Sequence, residues 1–392
     1  MTIFYPMIAD TWGEEEIEAI QGVIRSGRYT MAGNVAAFEE AFAAYHGRKH
    51  AVMVNSGSSA NLIAIAALCH HSARPLKRGD EVIVPAVSWS TTYYPLHQYG
   101  LKLRFVDVDI DNLGMDTSRL EEALTPRTRA ITGVSILGNP CALDVMRRFA
   151  DRHSLWFFED NCESLDARLD DRLTGTFGDV ATFSFFFSHH ISTMEGGMIL
   201  TDDPELYHLA RSLRAHGWTR DLPGDSPIYE RRAGDFFEEY RFILPGYNVR
   251  PMEMNAAVGL QQLKKLPEMT AGRRRNLAFF QELFGGDERF RIQKENGKSS
   301  SFCFTIILEP GPGIDRDKVL AALKKNEIEH RIITGGNILR HDVVKYFDYD
   351  VVGGGTPNAD IAHDRGFFVG NQPGDIRPQI ERLHKVLDEV CE

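Results

Sequence analysis

The middle of this 392-residue chain contains no lysine. None occurs between Leu103 and Leu263, although arginine, aspartate and glutamate are common in the same stretch. Chemistry that needs an imine-forming amine on this part of the protein is therefore excluded. The absence is most informative in the loop 183–197, where two adjacent histidines, His189 and His190, follow a run of phenylalanine and serine.

Cysteine is also scarce, and the five that are present lie far apart with no C-x-x-C pair: Cys69, Cys141, Cys162, Cys303 and Cys391. An odd number of isolated cysteines excludes a disulfide framework, and their spacing fits neither zinc nor iron–sulfur ligation. We therefore expect no bound metal.

Long hydrophobic runs and concentrated positive charge are absent too. The longest apolar runs, such as 181–187, are shorter than a bilayer span, and the first residues lack the basic region of a secretory signal. The net charge of −11 disfavours nucleic acids and anionic membranes as partners. The one arginine triplet, 273–275, is expected to lie on a solvated helix face. The composition thus predicts a cytoplasmic protein.

Short runs rich in Val, Ile and Phe alternate with amphipathic stretches between Ala51 and Thr201. This alternation predicts an α/β fold, a mostly parallel sheet covered by helices, in a large domain spanning 1–250. Ligands of such sheets bind beyond the carboxyl ends of the strands. The runs that we interpret as strands are 81–85, 103–107, 130–134 and 155–160, with helices at 118–124 and 143–153.

A smaller α+β domain is predicted for 251–392, after the proline- and glycine-containing turn at 245–251. The polar segment 222–237, with two prolines and two glycines, is expected to be a surface excursion. The predicted elements of the second domain are two connecting helices at 252–266 and 272–283, strands at 301–308 and 329–333, and helices at 316–326 and 375–390.

The sequence Ser-Gly-Ser-Ser-Ala-Asn at 56–61 precedes an apolar helix predicted for 62–68. Backbone N–H groups at a helix start, together with the helix dipole, can bind phosphate. An ordinary serine N-cap is the commoner use of such a sequence, and the motif alone does not decide between the two.

Asp160 and Trp89 follow predicted strands at the ligand-binding edge of the sheet. A carboxylate that ends a hydrophobic strand needs a cationic or protonated partner, because burial of an unpaired charge is costly. A pyridinium N–H is one such partner, and a turn-capping aspartate is an equal alternative. Trp89 is suited to stack on a planar ring, although a core position is the commoner one for tryptophan.

Several motifs together resemble those of the nucleotide-sugar aminotransferase family of fold-type I pyridoxal phosphate (PLP) enzymes. The resemblance covers essentially the whole chain and implies the fold of those transferases. It also implies that Asn248 reaches the cofactor phosphate of a second subunit, in a homodimer with shared active sites. The motifs are Gly57-Ser58, Trp89, Glu-Asp-Asn-Cys-Glu at 159–163, Ser184 and Tyr-Asn-Val-Arg at 247–250.

The resemblance assigns further roles to single residues. It implies that Gly57, Ser58 and Ser184 bind the cofactor phosphate and that Asp160 pairs with the pyridine nitrogen. Glu163 stands beside the ring, where the family usually has glutamine.

Position 189 is where that family carries its cofactor-binding lysine. His189 implies that PLP, or its amine form pyridoxamine phosphate (PMP), is bound non-covalently. Motifs at 85–94, 188–197 and 214–220 are similar to the lysine-less sugar 3-dehydratases of the family. They imply PMP-dependent loss of the C3 hydroxyl from a nucleotide-linked 4-keto-6-deoxy sugar, GDP-4-keto-6-deoxy-D-mannose. This reaction belongs to deoxysugar synthesis for O-antigen lipopolysaccharide, and L-glutamate would regenerate PMP.

The chemistry of imidazole agrees with this implication, because neutral His189 is a competent base near neutral pH. Its short side chain cannot easily deliver a proton to the sugar, so hydroxyl loss is favoured over amino transfer. Packing or a hydrogen bond is expected for His190. Candidate substrate residues are His216, Arg250 and Arg331, although a surface salt bridge is the favoured alternative for Arg331.

Two other functions remain open at this stage. One is a nucleotide-sugar 4-aminotransferase with an unusual base, which would make a stable amino sugar. The other is a non-catalytic PLP-binding protein left by loss of the lysine.

Overall fold

A computed structural model of the chain describes residues 3–232 and 236–391, apart from the side chain of Glu239. The α-helices of this part of the chain are α1 (Glu14–Ser26), α2 (Gly33–His46), α3 (Gly57–His70), α4 (Ser90–Gln98), α5 (Leu120–Ala123), α6 (Leu143–Arg152), α7 (Pro204–Leu213), α8 (Glu253–Phe284), α9 (Arg316–Lys325), α10 (Pro357–Arg365) and α11 (Arg377–Val390). Short 3-10 helices occur at Thr117–Arg119, Ile136–Gly138, Phe236–Tyr240, Ile333–Gly335, Ile338–Arg340, Asp342–Tyr346 and Val352–Gly354.

The strands form one large sheet, one small sheet and a two-stranded ribbon. Their bounds are β1 (His50–Val54), β2 (Glu81–Pro85), β3 (Lys102–Val106), β4 (Thr128–Val134), β5 (Trp156–Asp160), β6 (Arg168–Leu169), β7 (Arg172–Leu173), β8 (Val180–Ser184), β9 (Gly197–Thr201), β10 (Phe290–Ile292), β11 (Cys303–Leu308), β12 (His330–Arg331), β13 (Tyr349–Val351) and β14 (Gly366–Gly370).

The large sheet has the order β1-β9-β8-β5-β4-β2-β3-β13. Strand β9 runs antiparallel to both of its neighbours, and the other pairs are parallel. Side chains of one strand alternate between two cores: Val82 and Val84 pack with α3 and α4, whereas Ile83 packs with α6 on the opposite face. The predicted mostly parallel sheet, covered by helices on both faces, is confirmed.

The small sheet has the order β10-β11-β14-β12 and is antiparallel throughout. The end of α8, together with α9 and α11, covers it through a separate apolar core. Strand β12 is shorter than the strand predicted for 329–333. The predicted excursion at 222–237 carries no helix or strand in its described part up to 232, and residues 233–235 lie outside the described chain.

The two connecting helices predicted at 252–266 and 272–283 are one continuous helix, α8, so that prediction is wrong. Pro267 lies inside it and would be expected to break an isolated helix. The helices α1 and α2 pack along its first half and hold it together. Gly272 is required for a close approach, because a Cβ there would lie 1.9 Å from the carbonyl oxygen of Pro373.

The arginine triplet on α8 does not lie on a solvated face as predicted. Arg275 is exposed, Arg274 is partly buried, and Arg273 is 5% exposed. The helix contacts the rest of the protein on more than one side, so neighbouring arginines meet different surroundings.

The predicted division of the chain at residue 250 stays a prediction. Tyr5 lies in the core of the small sheet, where its hydroxyl donates a hydrogen bond to the carbonyl of Gly370 at 2.6 Å. Strand β13 in turn extends the large sheet. Tyr5 therefore packs with the second predicted domain, and a strand near residue 350 belongs to the sheet of the first. Among the described helices, none combines the length and apolarity needed to cross a bilayer.

Candidate active site

The carboxyl ends of β5 and β8 meet at the start of α3. The two strands are parallel neighbours that end at Asp160 and Ser184. Gly57, the first residue of α3, lies so close that a Cβ there would be 2.5 Å from the Ser184 Cβ and 3.1 Å from the Cys162 Sγ. The fold thus brings together three residues predicted for one site.

The start of α3 leaves backbone donors free. The Ser56 side chain caps the helix by accepting from the backbone N–H of Ser59 at 3.1 Å, so the ordinary N-cap is present. In the described chain the N–H groups of Gly57 and Ser58 donate no hydrogen bond. The segment is therefore an ordinary serine N-cap and can also be a phosphate site, because the cap leaves two N–H groups free at the helix start beside Ser184.

We expect Gly57→Val to weaken PLP binding by about tenfold to a hundredfold, since an overpacked contact costs about 1–3 kcal/mol. The new side chain would displace Ser184 and Cys162 from the helix end. The measurement is the dissociation constant of PLP by absorbance titration. Gly33→Val is the matched control, because Gly33 is the first residue of α2 and has open space around it. Equal affinity of the two variants would contradict the assignment.

The Asp160 carboxylate is buried, 4% exposed, and held by neutral donors. Its Oδ2 accepts from Asn61 Nδ2 at 2.8 Å and from Thr92 Oγ1 at 2.7 Å, and Oδ1 accepts from the backbone N–H of Cys162 at 3.2 Å. No cation pairs with it among the described residues. These donors fix the carboxylate and leave its charge uncompensated, so a protonated ring nitrogen would complete the site.

Trp89 is the N-cap residue of α4 and is 57% exposed. The core position considered for it is therefore wrong. The side chain of Ser58 donates to Thr91 Oγ1 at 3.0 Å, which joins the start of α4 to the start of α3. A planar ligand at the helix end would have an accessible aromatic face close to it.

Glu163 is partly buried, and its Oε2 accepts from the backbone N–H of Leu137 at 2.9 Å and from Thr334 Oγ1 at 3.3 Å. Both donor residues have left-handed backbone angles, with φ of 52° and 40°. Burial and the charge of Asp160 raise the pKa of Glu163 to about 7. A carboxyl group stands where the resemblance expects an amide, and it holds a proton over part of the neutral range.

In the cofactor-free chain, Glu163→Gln should be increasingly stabilising as the pH rises from 5 to 8. The folded chain binds more protons at Glu163 than the unfolded chain does between the ordinary pKa of 4.5 and about 7. Wild-type stability therefore falls as the pH rises through this window, by at most about 3 kcal/mol, whereas glutamine does not titrate. Thermal unfolding at several pH values measures the difference. Glu282→Gln, at an exposed position, is the control, and a pH-independent difference for Glu163→Gln would refute the assignment.

His189 lies in the loop after β8, with its ring stacked on Phe302 at 5.1 Å and 26°. Its Nδ1 is buried without a hydrogen-bond partner, so Nε2 is the ring nitrogen open to a ligand. Burial and the charge of Arg273 lower the pKa of His189 to about 4. The imidazole is therefore neutral at physiological pH and able to accept a proton.

His190 is more deeply buried than His189. It is 1% exposed, its Nε2 lies 3.3 Å from the carbonyl oxygen of Ser300, and its ring packs on Phe302 at 5.6 Å. The expected hydrogen bond is present. Of the two histidines, His189 is the one that a bound ligand can reach.

Within the described chain, no hydrogen bond or ion pair joins the remaining predicted residues to Asp160, Ser184 or Glu163, although the backbone N–H of Asn55 donates to the carbonyl of Val249 at 3.0 Å. Asn248 is exposed and accepts from Arg250 Nε at 3.2 Å. His216 lies in the neighbouring segment, where its N–H donates to the carbonyl of Tyr247 at 2.6 Å. Arg331 on β12 is exposed and makes no ion pair in the described chain, so the surface salt bridge favoured for it is wrong.

Sequence reasoning missed the residues that hold the site residues in place. Asn61 and Thr92 fix Asp160, and Leu137 and Thr334 fix Glu163. Asn61 ends the serine-rich motif, and that position was a usable signal. Thr92 lies in the motif at 85–94, which is a second signal. Leu137 and Thr334 are distant in sequence, and nothing in their local pattern indicates the contact with Glu163.

The residues present suit PLP or PMP. A helix end that a Cβ would fill is available for the phosphate, a buried carboxylate for the ring nitrogen, and an exposed indole for the ring face. The histidine loop provides a base and no amine. Non-covalent binding is the mode that this set of side chains permits.

Known proteins share this whole architecture. The model of the DegT/DnrJ/EryC1/StrS aminotransferase family matches residues 10–381. A Yersinia pseudotuberculosis protein named GDP-4-keto-6-deoxy-D-mannose 3-dehydratase is 48% identical over 387 residues, which cover 98% of each chain. The Escherichia coli GDP-4-keto-6-deoxy-D-mannose-3-dehydratase with bound hydrated PLP has a TM-score of 0.96 at 46% identity, covering 99% of this chain and 100% of that one.

A structure of GDP-4-keto-6-deoxymannose-3-dehydratase with a trapped PLP-glutamate geminal diamine has a TM-score of 0.95 at 46% identity. The match covers 98% of this chain and 100% of the chain in that structure. The predicted transferase fold is confirmed by these matches. The chain belongs to the DegT/DnrJ/EryC1/StrS aminotransferase family.

Proposed function

We propose that this chain is a PMP-dependent dehydratase that removes the C3 hydroxyl of GDP-4-keto-6-deoxy-D-mannose. The observation that carries the proposal is the base position: an open, neutral imidazole stands in a PLP-type site, and no lysine lies between Leu103 and Leu263. The names of the relatives supply the sugar and the nucleotide.

The cofactor is held by the residues gathered at the strand ends. The N–H groups of Gly57 and Ser58 and the hydroxyl of Ser184 bind its phosphate, and Asp160 holds a proton on the ring nitrogen. Trp89 covers one face of the ring. Bound PMP supplies the amine and the electron-withdrawing ring on which C3–O cleavage depends.

His189 moves the proton that decides the outcome. Its Nε2 would accept a proton from the cofactor carbon that bears the amine and would then return it to the departing C3 hydroxyl, which would leave as water. The ring is stacked on Phe302 and its Nδ1 is buried, so the side chain cannot follow the sugar carbon as a flexible lysine would. Water would restore the C4 ketone whose oxygen the cofactor amine had displaced, C3 would take its new proton from solvent, and the nitrogen would leave as ammonia.

L-Glutamate restores the amine form of the cofactor and becomes 2-oxoglutarate. The glutamate adduct in a structurally similar dehydratase supports this donor. Arg331 and Arg250 are proposed to bind its carboxylates: neither makes an ion pair among the described residues, and the Nε of Arg250 donates to Asn248. His216 is proposed to contact the sugar or a phosphate of the nucleotide.

We also propose that two chains share their active sites. Asn248 is exposed, and in the described chain its side chain makes no hydrogen bond to Asp160 or Ser184, which leaves it available to a partner. Exposed aromatic side chains flank it, with Tyr240 63% and Phe242 57% exposed. This proposal requires that the molecular mass of the protein in solution equal that of two chains.

A single-turnover experiment tests the dehydratase directly. Protein loaded with PMP and freed of glutamate is mixed with GDP-4-keto-6-deoxy-D-mannose. The proposal predicts one equivalent of ammonia, one of PLP and one of 3-deoxy ketosugar per site. An aminotransferase would leave the nitrogen on the sugar and release no ammonia, and a non-catalytic binding protein would leave PMP unchanged.

A further inference from the structure

Arg273 is a buried cation without an acidic partner. Its Nη1 donates to two backbone carbonyls, those of Phe302 at 3.1 Å and of Asn371. Its Nε is buried and has no hydrogen-bond partner. Within the described chain no carboxylate forms an ion pair with it, and its side chain is almost completely enclosed.

Packing alone does not explain this residue. A buried charge that lacks a counter-charge is costly, and an apolar side chain of similar volume is often at least as stabilising. The thiol of Cys303 is the one group whose negative form would offset the charge, but burial raises the pKa of Cys303 well above its ordinary value. Burial lowers the pKa of Arg273 only to about 10, so the guanidinium remains charged at neutral pH.

The charge is linked to the active-site histidine through Phe302. The backbone carbonyl of Phe302 accepts from Arg273, and its ring stacks on His189 at 5.1 Å. Asn371 secures the arrangement, since its Nδ2 donates to the carbonyls of Arg273 and Ser301 at 3.0 Å each. The Arg273 guanidinium is therefore fixed against the backbone of Phe302, the residue whose ring stacks on His189.

Few other charged groups act on the two histidines. Arg274 influences His190, although its guanidinium is turned toward the carbonyls of Ser299 and Asp166. His190 itself is neutral, because burial and the charge of Arg273 hold its pKa well below the ordinary range. Glu163 and Arg331 act on Cys303, which lies on β11.

We infer that Arg273 is a positioning residue whose charge keeps His189 in its proton-accepting form and drives the accepted proton onward to the departing hydroxyl. The inference rests on the proposed role of His189. A cation beside the imidazole raises the energy of imidazolium and leaves neutral imidazole nearly unaffected. The base therefore returns its proton readily, which favours hydroxyl loss.

Loss of the Arg273 charge should shift the pH dependence of the activity. Burial first, and then Arg273, lower the pKa of His189 to about 4. Loss of the charge removes the second cause and moves the pKa of His189 upward. A base must be deprotonated to act, so the acid limb of the activity profile should move to higher pH when Arg273 is made neutral.

The test is a histidine NMR titration of the cofactor-free full-length chain, with the His189 signal assigned by its loss in His189→Asn. In Arg273→Met the pKa of His189 should rise by about half to one unit. The protonated fraction of His189 at pH 5.5 should then be about threefold to tenfold that of wild type. Arg273→Lys keeps the charge and should restore the wild-type titration. Arg274→Met is the matched control and should leave the His189 titration unchanged.

Two results would overturn the inference. One is an unchanged His189 titration in Arg273→Met, and the other is an equal displacement in Arg273→Lys, which would make the residue merely structural. If Arg273→Met does not fold, Arg273→Gln removes the same charge and should displace the titration in the same direction. A wild-type midpoint near 6.5 would also overturn the inference, because it would show that nothing suppresses imidazolium. The titration needs no substrate. A result that overturns the role of Arg273 can therefore be told apart from a result that overturns the dehydratase function.

Discussion

His189→Asn should reduce deoxygenation of the ketosugar by about 10²–10⁴-fold, the range typical of a lost general acid–base. Asparagine can occupy the place of the ring but cannot accept and return a proton. The fold should persist, because His189 is only partly buried and makes no side-chain hydrogen bond. Turnover is measured as 3-deoxy sugar formed at saturating glutamate.

The neighbouring histidine is the control for this experiment. His190→Asn removes an imidazole from the same loop, but one that is buried against Ser300. It should lower the stability of the protein while changing turnover per folded chain far less than His189→Asn does. If His190→Asn lost most of its turnover while His189→Asn stayed active, His190 and not His189 would be the base.

The reverse substitution tests the non-covalent binding of the cofactor. In His189→Lys an amine returns to the cofactor site, so borohydride reduction should fix PLP to the chain. No such product should form with the wild-type chain, which has no lysine between Leu103 and Leu263. Trapping in wild type would show that a distant lysine reaches the cofactor.

Asp160→Asn should weaken cofactor binding and turnover by about 10²–10⁴-fold. Its charge is desolvated and held by Asn61 and Thr92, so the protonated ring nitrogen would lose its counter-charge inside the protein. Removing one partner of a buried ion pair costs about 3–5 kcal/mol, which corresponds to this factor. The PLP dissociation constant and the turnover number are both measured.

Asp107→Asn is the matched control for this substitution. Asp107 is also a buried carboxylate just after a strand end, 2% exposed, but it accepts from the backbone N–H groups of Asn358 and Ala359. Its loss should lower stability and leave the PLP dissociation constant unchanged. If Asp160→Asn bound PLP as tightly as wild type does, the ring-nitrogen contact would be wrong.

The strands and their ends could be predicted from the sequence because their signal is local. The run that ends at Asp160 begins with Trp-Phe-Phe and is buried along its whole length, as expected for a strand covered on both faces, and Ser184 ends a similarly buried run. Once the strands are parallel, their carboxyl ends lie on one edge. The approach of Gly57 to Ser184 then follows from the fold.

What could not be predicted depends on contacts between distant segments. Strand β13 has three residues and joins the sheet only because Leu103 to Phe105 offer an open edge. The unbroken course of α8 through Pro267 depends on the helices packed against it. Arg273 and Arg275 look alike in the sequence, and only the surroundings of α8 make one of them a buried cation.

Following C3 of the sugar by NMR distinguishes deoxygenation from amino transfer in one measurement. The full-length chain is mixed with PLP, L-glutamate and GDP-4-keto-6-deoxy-D-mannose, and the products are read without separation. The account predicts a methylene at C3, a ketone at C4, and ammonia and 2-oxoglutarate in equal amounts. Retention of the C3 oxygen with an amine at C4 would contradict it and make the chain an aminotransferase.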